Sequence, residues 1–172
     1  KVAVYTNADV SDNFALGPIT VQELQSLSGV NQEAGDFFGA SVDIDGDDVV
    51  VGAPGEDGNS ETVNNNKTSD SGAAYVFHSP GGNADWSGAT YVARLKQRTD
   101  SGLASASSAI RATNHFGSAV AIRGRMIAVA APDSSATDAQ PRNGQGKVTL
   151  FEDGDGVWDN AAAIGWNSNL AE

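Results

Sequence analysis

The stretch Phe38–Pro54 reads Phe-Gly-Ala-Ser-Val-Asp-Ile-Asp-Gly-Asp-Asp-Val-Val-Val-Gly-Ala-Pro, and it decides the fold. Val42 and Ile44 alternate with polar residues, which is the period-two pattern of a β-strand. The Gly46-Asp47 pair predicts a tight turn, and the apolar run Val49–Val51 follows it directly. Proline cannot donate into a strand ladder, so the second strand should end at the closing Gly-Ala-Pro. The stretch therefore predicts a β-hairpin.

The same pattern recurs 78 residues later, where Phe116–Val120 and Met126–Pro132 repeat the order of residue types. A third β-like run, Gly72–Phe77, is likewise repeated by Gly146–Phe151. The N-terminal run Lys1–Tyr5 aligns with the end of this third run. A period of about 70 to 80 residues with several short strands is typical of stacked sheets or propeller blades, because one such unit cannot bury its own faces.

We therefore predict an all-β fold made of β-propeller blades, each with four antiparallel strands, and about two and a half blades in all. Residues 1–35 are predicted to be the second half of a preceding blade, namely its strands three and four. Residues 36–98 are predicted to form a complete blade, and residues 99–172 a second blade with a C-terminal tail.

Burial patterns can also be predicted for individual strands. The runs Val49–Val51 and Met126–Ala131 are apolar without alternation, so both of their faces should be buried against other sheets. Apolar and polar residues alternate in Tyr91–Leu95, as expected of an outer strand with one face exposed to solvent. Trp86 and Trp158 lie at matching places in the two units, where we expect them to pack between neighbouring sheets.

Composition and charge narrow the classes of function. The chain has 172 residues, no cysteine and a net charge of −12, and no apolar run is long enough to insert into a membrane. The segment before Lys67 carries twelve acidic residues against Lys1 alone. Such a surface repels phosphate groups, so we expect neither nucleic acid nor an anionic membrane surface as a partner.

The repeated phrases resemble the FG-GAP repeat, the blade unit of integrin α-subunit propellers, and are closest to its bacterial secreted or surface-attached relatives. The resemblance rests on Phe38–Val42, Gly52–Pro54 and Gly72–Phe77, and covers roughly residues 36–158. It implies a propeller that is exported and used in adhesion. In the second unit Ala130 replaces the first glycine of Gly-Ala-Pro and Arg123–Arg125 replaces the acidic turn, so that unit should present a different surface.

The resemblance also raises the question of calcium. Integrin-type blades often carry an Asp-rich insertion between their first two strands, and this chain lacks it. The carboxylates of the short hairpin Asp43–Asp48 should point to opposite faces of the sheet, whereas calcium needs six to eight converging oxygens. The turn Glu152–Gly156 is too short for a helix–loop–helix calcium site. The sequence therefore indicates no firm cofactor, with calcium as the only candidate ion.

Candidate catalytic groups are sparse, and we predict that the chain is not an enzyme. It has no cysteine nucleophile and only two histidines. His115 occupies the position that Phe37 holds in the other unit, which indicates a structural environment. His78 has no partner at an informative spacing. Serines, aspartates and glutamates are too numerous for composition alone to single out a triad or a carboxylate pair.

The predicted function is that of a noncatalytic extracellular or cell-surface interaction module that displays the loops Gly55–Ser71 and Asp133–Gly146 to a protein or glycan ligand. The remaining blades of the same protein, or further copies of this chain, are expected as additional partners. The alternatives are part of a polysaccharide-acting propeller enzyme and a self-assembling unit of a surface fibre or ring. The candidate loop residues are Glu56, Asp57, Asn59, Asn66, Asp70, Asp133, Asp138 and Arg142.

Overall fold

The structure is a computed structural model that describes residues 2–6, 22–29, 33–58, 69–81, 86–97, 113–134, 144, 146–154 and 158. This part of the chain contains β-strands and no helix, so the fold is all-β as predicted. The strands are β1 (Val2–Thr6), β2 (Gln22–Leu27), β3 (Ser41–Asp45), β4 (Asp48–Ala53), β5 (Ala73–His78), β6 (Thr90–Leu95), β7 (Ala119–Arg123), β8 (Met126–Ala131) and β9 (Lys147–Glu152).

Within each sheet, strands that are consecutive in sequence pair with one another, which gives antiparallel meanders of the kind found in propeller blades. A four-stranded sheet has the order β3-β4-β5-β6, a three-stranded sheet has the order β7-β8-β9, and β1 pairs with β2. The hairpins close where glycine is required, since Gly46 and Gly124 both have positive φ. We refer to the sheet β3–β6 as the first unit and to β7–β9 as the second unit.

The two units pack face to face around a shared apolar core. The first unit contributes Val50, Val76 and Leu95, and the second contributes Phe116 and Ile127, all buried. Trp158 is also buried in this core, as predicted for a tryptophan between sheets. The opposite face of the first unit has its own core, which contains Trp86 and reaches Leu27 of β2. The two central strands of the first unit, β4 and β5, are thus buried on both faces.

Among the residues of the first unit that contact the second unit, we call four the trailing edge: Ser41, Asp43, Asp45 and Gly52. The Ser41 hydroxyl donates to the carbonyl of Gly117 at 2.8 Å. One carboxylate oxygen of Asp43 accepts from the backbone N–H of Ile122 at 2.8 Å. A carboxylate oxygen of Asp45 accepts in the same way from the N–H of Gly124.

Gly52 completes the trailing edge by having no side chain. A methyl group there would overlap the carbonyl oxygen of Gly117 and lie 3.0 Å from its carbonyl carbon. Gly72, with φ of +78°, is equally close to the backbone of Phe116, with which it forms a parallel bridge. Gly52, at the start of the Gly-Ala-Pro phrase, and Gly72 therefore let two main chains approach closely.

The pair β1–β2 shares a local irregularity with β5–β6. The β1–β2 register shifts between Val4 and Tyr5, and the β5–β6 register shifts between Val76 and Phe77. Val4 and Val76 are 72 residues apart, as are Tyr5 and Phe77. A bulge at the same point in both pairs indicates the same local geometry, because bulges change the direction and twist of a strand.

Two predicted burial patterns are wrong. Met126–Ala131 was expected to be buried on both faces, but in β8 burial alternates and Met126 is 48% exposed. The buried alternate residues, such as Ile127, face the first unit. Tyr91–Leu95 was expected to alternate, but β6 is exposed at Tyr91 and fully buried over its last three residues. The reason is that Arg94 reaches an internal carboxylate from this end of the strand. The C-terminal part of the predicted second blade, residues 159–172, lies outside the described residues.

Candidate functional site

The loop between β4 and β5 is held at its base by hydrogen bonds between its two arms. The backbone N–H of Asp70 donates to a carboxylate oxygen of Asp57 at 2.8 Å. The Ser71 hydroxyl donates to the carbonyl of Gly58 at 2.5 Å, and the N–H of Gly72 donates to the carbonyl of Glu56 at 2.9 Å. These contacts fix the points at which the loop leaves and re-enters the sheet.

A buried acid lies beneath this base. Glu56 is 3% exposed, and its carboxylate accepts a 2.7 Å hydrogen bond from the Tyr75 hydroxyl and lies 3.4 Å from the Arg94 guanidinium. Burial raises the pKa of Glu56 above its ordinary value, although the hydrogen bond from Tyr75 and the charge of Arg94 both act to lower it. Burial and the bond to Glu56 likewise raise the pKa of Tyr75. The loop is therefore anchored from inside the sheet.

Lys96 is the second buried charged group under the loop, with no exposed surface. Its ammonium group donates to the Ser71 hydroxyl at 3.3 Å and to the carbonyl of Asp57 at 3.4 Å. Burial lowers the pKa of Lys96 to about 7, and the nearby charge of Arg94 acts in the same direction. The carboxylates of Glu56 and Asp57 oppose that shift.

The loop between β8 and β9 has a comparable base. The N–H of Gly146 donates to the carbonyl of Ser134 at 3.1 Å. The Ser134 hydroxyl accepts from the amide of Gln97 at 2.6 Å, and the Gln97 oxygen accepts from the amide of Asn114 at 2.8 Å. All three side chains are buried. Because Gln97 follows β6, this buried chain of polar groups ties the second loop to the first unit.

The two loop bases meet along one row of residues, which we call the loop-base row: Asp57, Asp70, His115 and Asp133. Asp57 binds the backbone of Asp70, as described above. The carbonyl of Asp70 accepts from the N–H of His115 at 3.1 Å. The Nδ1 of His115 lies 2.7 Å from a carboxylate oxygen of Asp133. The side chains of His115 and Asp133 are 39% and 56% exposed, so this end of the row faces solvent.

The chemistry available at the loop-base row is hydrogen bonding to a ligand. Carboxylate oxygens accept hydrogen bonds from hydroxyl and amino groups, and an imidazole ring both packs and hydrogen-bonds. Among the described residues, no cluster of three or more histidine or acidic side chains is placed to hold a metal ion. The Ser118 hydroxyl donates to the backbone carbonyl of His115 rather than to its ring. The row therefore presents hydrogen-bonding groups to solvent at His115 and Asp133.

The structure places the predicted loop residues in different surroundings. Asp57, Asp70 and Asp133 share the loop-base row, whereas Glu56 is buried beneath it and stabilises the loop from inside. The other four lie outside the described residues, namely Asn59, Asn66, Asp138 and Arg142.

The sequence did not predict the contacts of the two histidines or the burial of the charges near the site. His115 was predicted to be structural, and its φ of +50° does match that of Phe37 at +53°, yet its backbone N–H binds the first loop base and its ring binds Asp133 of the second. His78 does have a partner, because its Nδ1 lies 2.9 Å from the carboxylate of Asp48. A sequence signal for the buried charges exists at the end of β6, where Arg94 lies within the strand and Lys96 directly follows it. Two such charges beside the apolar residues Ala93 and Leu95 need an internal acceptor if they are buried.

Comparison with known proteins agrees with the repeat pattern. Residues 21–77 match the model of the FG-GAP repeat family. This segment runs from just before β2 through β3 and β4 into β5, and so includes the trailing edge and the whole first loop. No curated protein matches the chain. Within the described residues, no helix is long and apolar enough to cross a membrane.

Proposed function

We propose that the chain is a noncatalytic interaction module that works outside the cell or at the cell surface, within a propeller of the FG-GAP type. The loops at residues 55–71 and 133–146 would contact a protein or glycan ligand. The observation that carries this proposal is the loop-base row, which holds the bases of both loops side by side across the junction of two units. Loops held on a rigid scaffold are the usual location of binding residues in proteins of this kind.

The chemistry of the row supports a ligand rich in hydroxyl or cationic groups. Asp133 and His115 are exposed, and Asp57 and Asp70 lie beside them partly exposed. The net charge of −12 adds long-range attraction toward cationic groups and repulsion of anionic ones. A neutral glycan or a basic protein surface fits this arrangement better than a sulfated or phosphorylated ligand.

A glycan array and a set of immobilised basic and acidic proteins would test the proposal with the labelled full chain. The variant Asp133→Asn removes one carboxylate from the loop-base row. The matched control, Glu152→Gln, removes one exposed carboxylate at the far end of β9. We expect specific binding that Asp133→Asn weakens by about tenfold, equivalent to about 1.4 kcal/mol, and that Glu152→Gln leaves unchanged.

Two results would contradict the proposal. Equal binding by both variants would show that the loop-base row is not part of the binding surface. Release of soluble sugar from any polysaccharide that the array identifies would show catalysis, and the module would then belong to the alternative class of propeller enzymes.

A further inference from the structure

One side chain in each unit is presented at the same point of the repeat, on the arm that precedes the first strand. Phe37 and His115 are 78 residues apart, and both have positive φ, at +53° and +50°. Each contacts the residue that opens the loop of its own unit, which is Gly55 after Pro54 in the first unit and Asp133 in the second. We call Phe37 and His115 the display positions.

The contact made by the display position differs in chemistry between the two units. The Nδ1 of His115 lies 2.7 Å from a carboxylate oxygen of Asp133. The ring of Phe37 lies instead beside Gly55, where an added methyl group would be 2.9 Å from the ring and would overlap the carbonyl oxygen of Gly35. The first unit thus displays an apolar ring against bare main chain, and the second displays a hydrogen-bonded imidazole.

Neither the backbone nor the core accounts for an aromatic side chain at position 37. A large side chain is disfavoured at positive φ, where glycine or asparagine costs less. The ring of Phe37 is also 69% exposed, whereas the neighbouring Phe38 packs against Tyr75 and Phe77. A ring that is costly to hold in place and that contributes little to the core points to a role at the surface.

The exposure is a property of the display position itself. His115 does have a neighbouring unit beside it, because its N–H donates to the carbonyl of Asp70 at 3.1 Å, yet its side chain is still 39% exposed. The neighbouring unit therefore binds the main chain at the display position and leaves the side chain accessible. Docking of the same kind at Phe37 would use main-chain groups and leave the ring in solvent.

The surroundings of Phe37 fit a sugar ring. The C–H groups on one face of a pyranose carry partial positive charge and are attracted to the negative face of an aromatic ring. The hydroxyl groups at the rim of the pyranose donate hydrogen bonds to carboxylates. Partly exposed Asp57 follows Gly55 by two residues, and the exposed pair His115–Asp133 lies in the adjoining unit, at about 10 Å for the usual spacing of packed sheets.

A protein ligand fits these features less well. The centre of a protein interface is usually a contiguous apolar patch of several side chains. Among the described residues at the bases of the loops, Phe37 is the one large apolar side chain that is exposed. These segments are residues 33–38, 55–58, 69–72, 113–116 and 133–134. The net charge of −12 further disfavours a sulfated or uronic-acid glycan.

We infer that the display positions bind one neutral polysaccharide chain that runs across both units. Phe37 stacks against a pyranose ring, and the pair His115–Asp133 hydrogen-bonds to hydroxyl groups further along the same chain. This inference rests on the proposed function and narrows its ligand to a glycan with an extended, uncharged backbone.

Calorimetric titration with neutral oligosaccharides tests the inference on the full chain. The probes are cello-, malto-, xylo- and manno-oligosaccharides from the disaccharide to the octasaccharide, with dextran and dextran sulfate as a neutral and a charged polymer. We expect binding to at least one neutral series and none to dextran sulfate. Affinity should increase with length until one oligosaccharide reaches both display positions, because the second contact then becomes intramolecular.

Variants at Phe37 separate stacking from a structural role. Phe37→Ala should weaken binding of the longest oligosaccharide by about tenfold and should abolish the gain in affinity with length. Phe37→Trp should stay within about threefold of the wild-type affinity because it keeps a flat aromatic face, whereas Phe37→Leu should bind as weakly as Phe37→Ala. All three variants should keep the thermal midpoint within about 2 °C, since the ring is exposed.

The matched control is Met126→Ala, which removes an exposed apolar side chain at the turn between β7 and β8, the end of the sheet opposite the loops. It should leave oligosaccharide binding unchanged. His115→Ala should weaken the long oligosaccharides and leave the disaccharide unaffected, because the disaccharide stacks on Phe37 alone.

The outcomes that overturn the inference also distinguish it from the proposed function. Oligosaccharide binding that is equal for wild type and Phe37→Ala, or equally weakened in Met126→Ala, would exclude Phe37 as a stacking platform. Binding of a protein that Asp133→Asn weakens, without binding of any neutral saccharide, would overturn the inference and leave the proposed function in place. Absence of both kinds of binding would overturn both.

Discussion

Substitution of Gly52 by alanine should disrupt the junction between the two units. The added methyl group overlaps the carbonyl oxygen of Gly117 and also crowds the Ser41 hydroxyl. Overpacking of this kind costs about 1–3 kcal/mol, and here the obstacle is main chain, which cannot rotate away. Loss of the Ser41–Gly117 hydrogen bond adds about 1 kcal/mol. Alanine in a strand recovers about 0.5–1 kcal/mol relative to glycine, so we expect a net loss of about 2 kcal/mol.

Urea denaturation followed by tryptophan fluorescence is a suitable assay, because Trp86 and Trp158 report on the two different cores. The matched control is Ala130→Gly in the second unit, where no close approach is relieved and only about 0.5–1 kcal/mol should be lost.

If Gly52→Ala prevents folding altogether, Ser41→Ala provides a milder test at about 1 kcal/mol. The double variant Ser41→Ala/Gly52→Ala should lose less than the sum of the single variants, since the shorter side chain makes room. A Gly52→Ala loss below about 1 kcal/mol, or an equal loss for Ala130→Gly, would refute the reasoning.

Three further predictions concern the buried charges and the junction. Burial lowers the pKa of Lys96 to about 7. Between pH 7 and 10.5 the unfolded chain therefore binds more protons than the folded chain. The free energy of unfolding should rise with pH across that window, by up to about 1.4 kcal/mol per pH unit. Lys96→Met should flatten this rise, measured by urea denaturation from about pH 7 to 9.5. Tyr75→Phe should cost about 1–3 kcal/mol, because buried Glu56 loses its hydroxyl partner. Ile122→Ala should cost about 2–5 kcal/mol in thermal unfolding, and Ile44→Ala less than about 1 kcal/mol, because only the former is buried.

Each of these predictions has a comparison and a result that would contradict it. A Lys96→Met slope as steep as that of the wild-type chain would exclude Lys96 as its source. Tyr91→Phe, at a ring that is 37% exposed, should be nearly neutral, and an equal loss at Tyr75 and Tyr91 would contradict the role of Glu56. Similar losses for the two isoleucine variants would mean that Ile44 is covered in solution.

The repeated strands were readable from the sequence because hairpin turns and apolar periodicity are local properties. The hairpin in Phe38–Pro54 and the third strand ending near Phe77 both appear as predicted. The pattern of Met126–Ala131 was misleading, because an apolar strand looks the same whether one or both faces are covered. Which face is covered depends on the neighbouring unit, and no property of the strand itself contains that information.

The site was harder to predict than the fold. The segment Gly55–Gly58 has the composition of an exposed polar turn, yet Glu56 within it is buried by Arg94 and Tyr75 from strands 19 to 38 residues away. The replacement of Gly52 by Ala130 in the second unit was visible as a departure from the repeat. The effect of this replacement on packing could not be inferred from the sequence, because it depends on how close the Gly117 carbonyl lies to Gly52 in the folded chain.

The returning arm of the first loop is attached to the second unit by three consecutive main-chain bonds. The carbonyls of Ser69, Asp70 and Ser71 accept from the N–H groups of Thr113, His115 and Phe116 at 2.9, 3.1 and 3.3 Å. The conformation of the loop is thus coupled to docking of the neighbouring sheet. A molecule that binds the loop only in this conformation must, by thermodynamic linkage, also tighten the seam between the sheets. Ligand capture and mechanical resistance to separation of the sheets would then rise together.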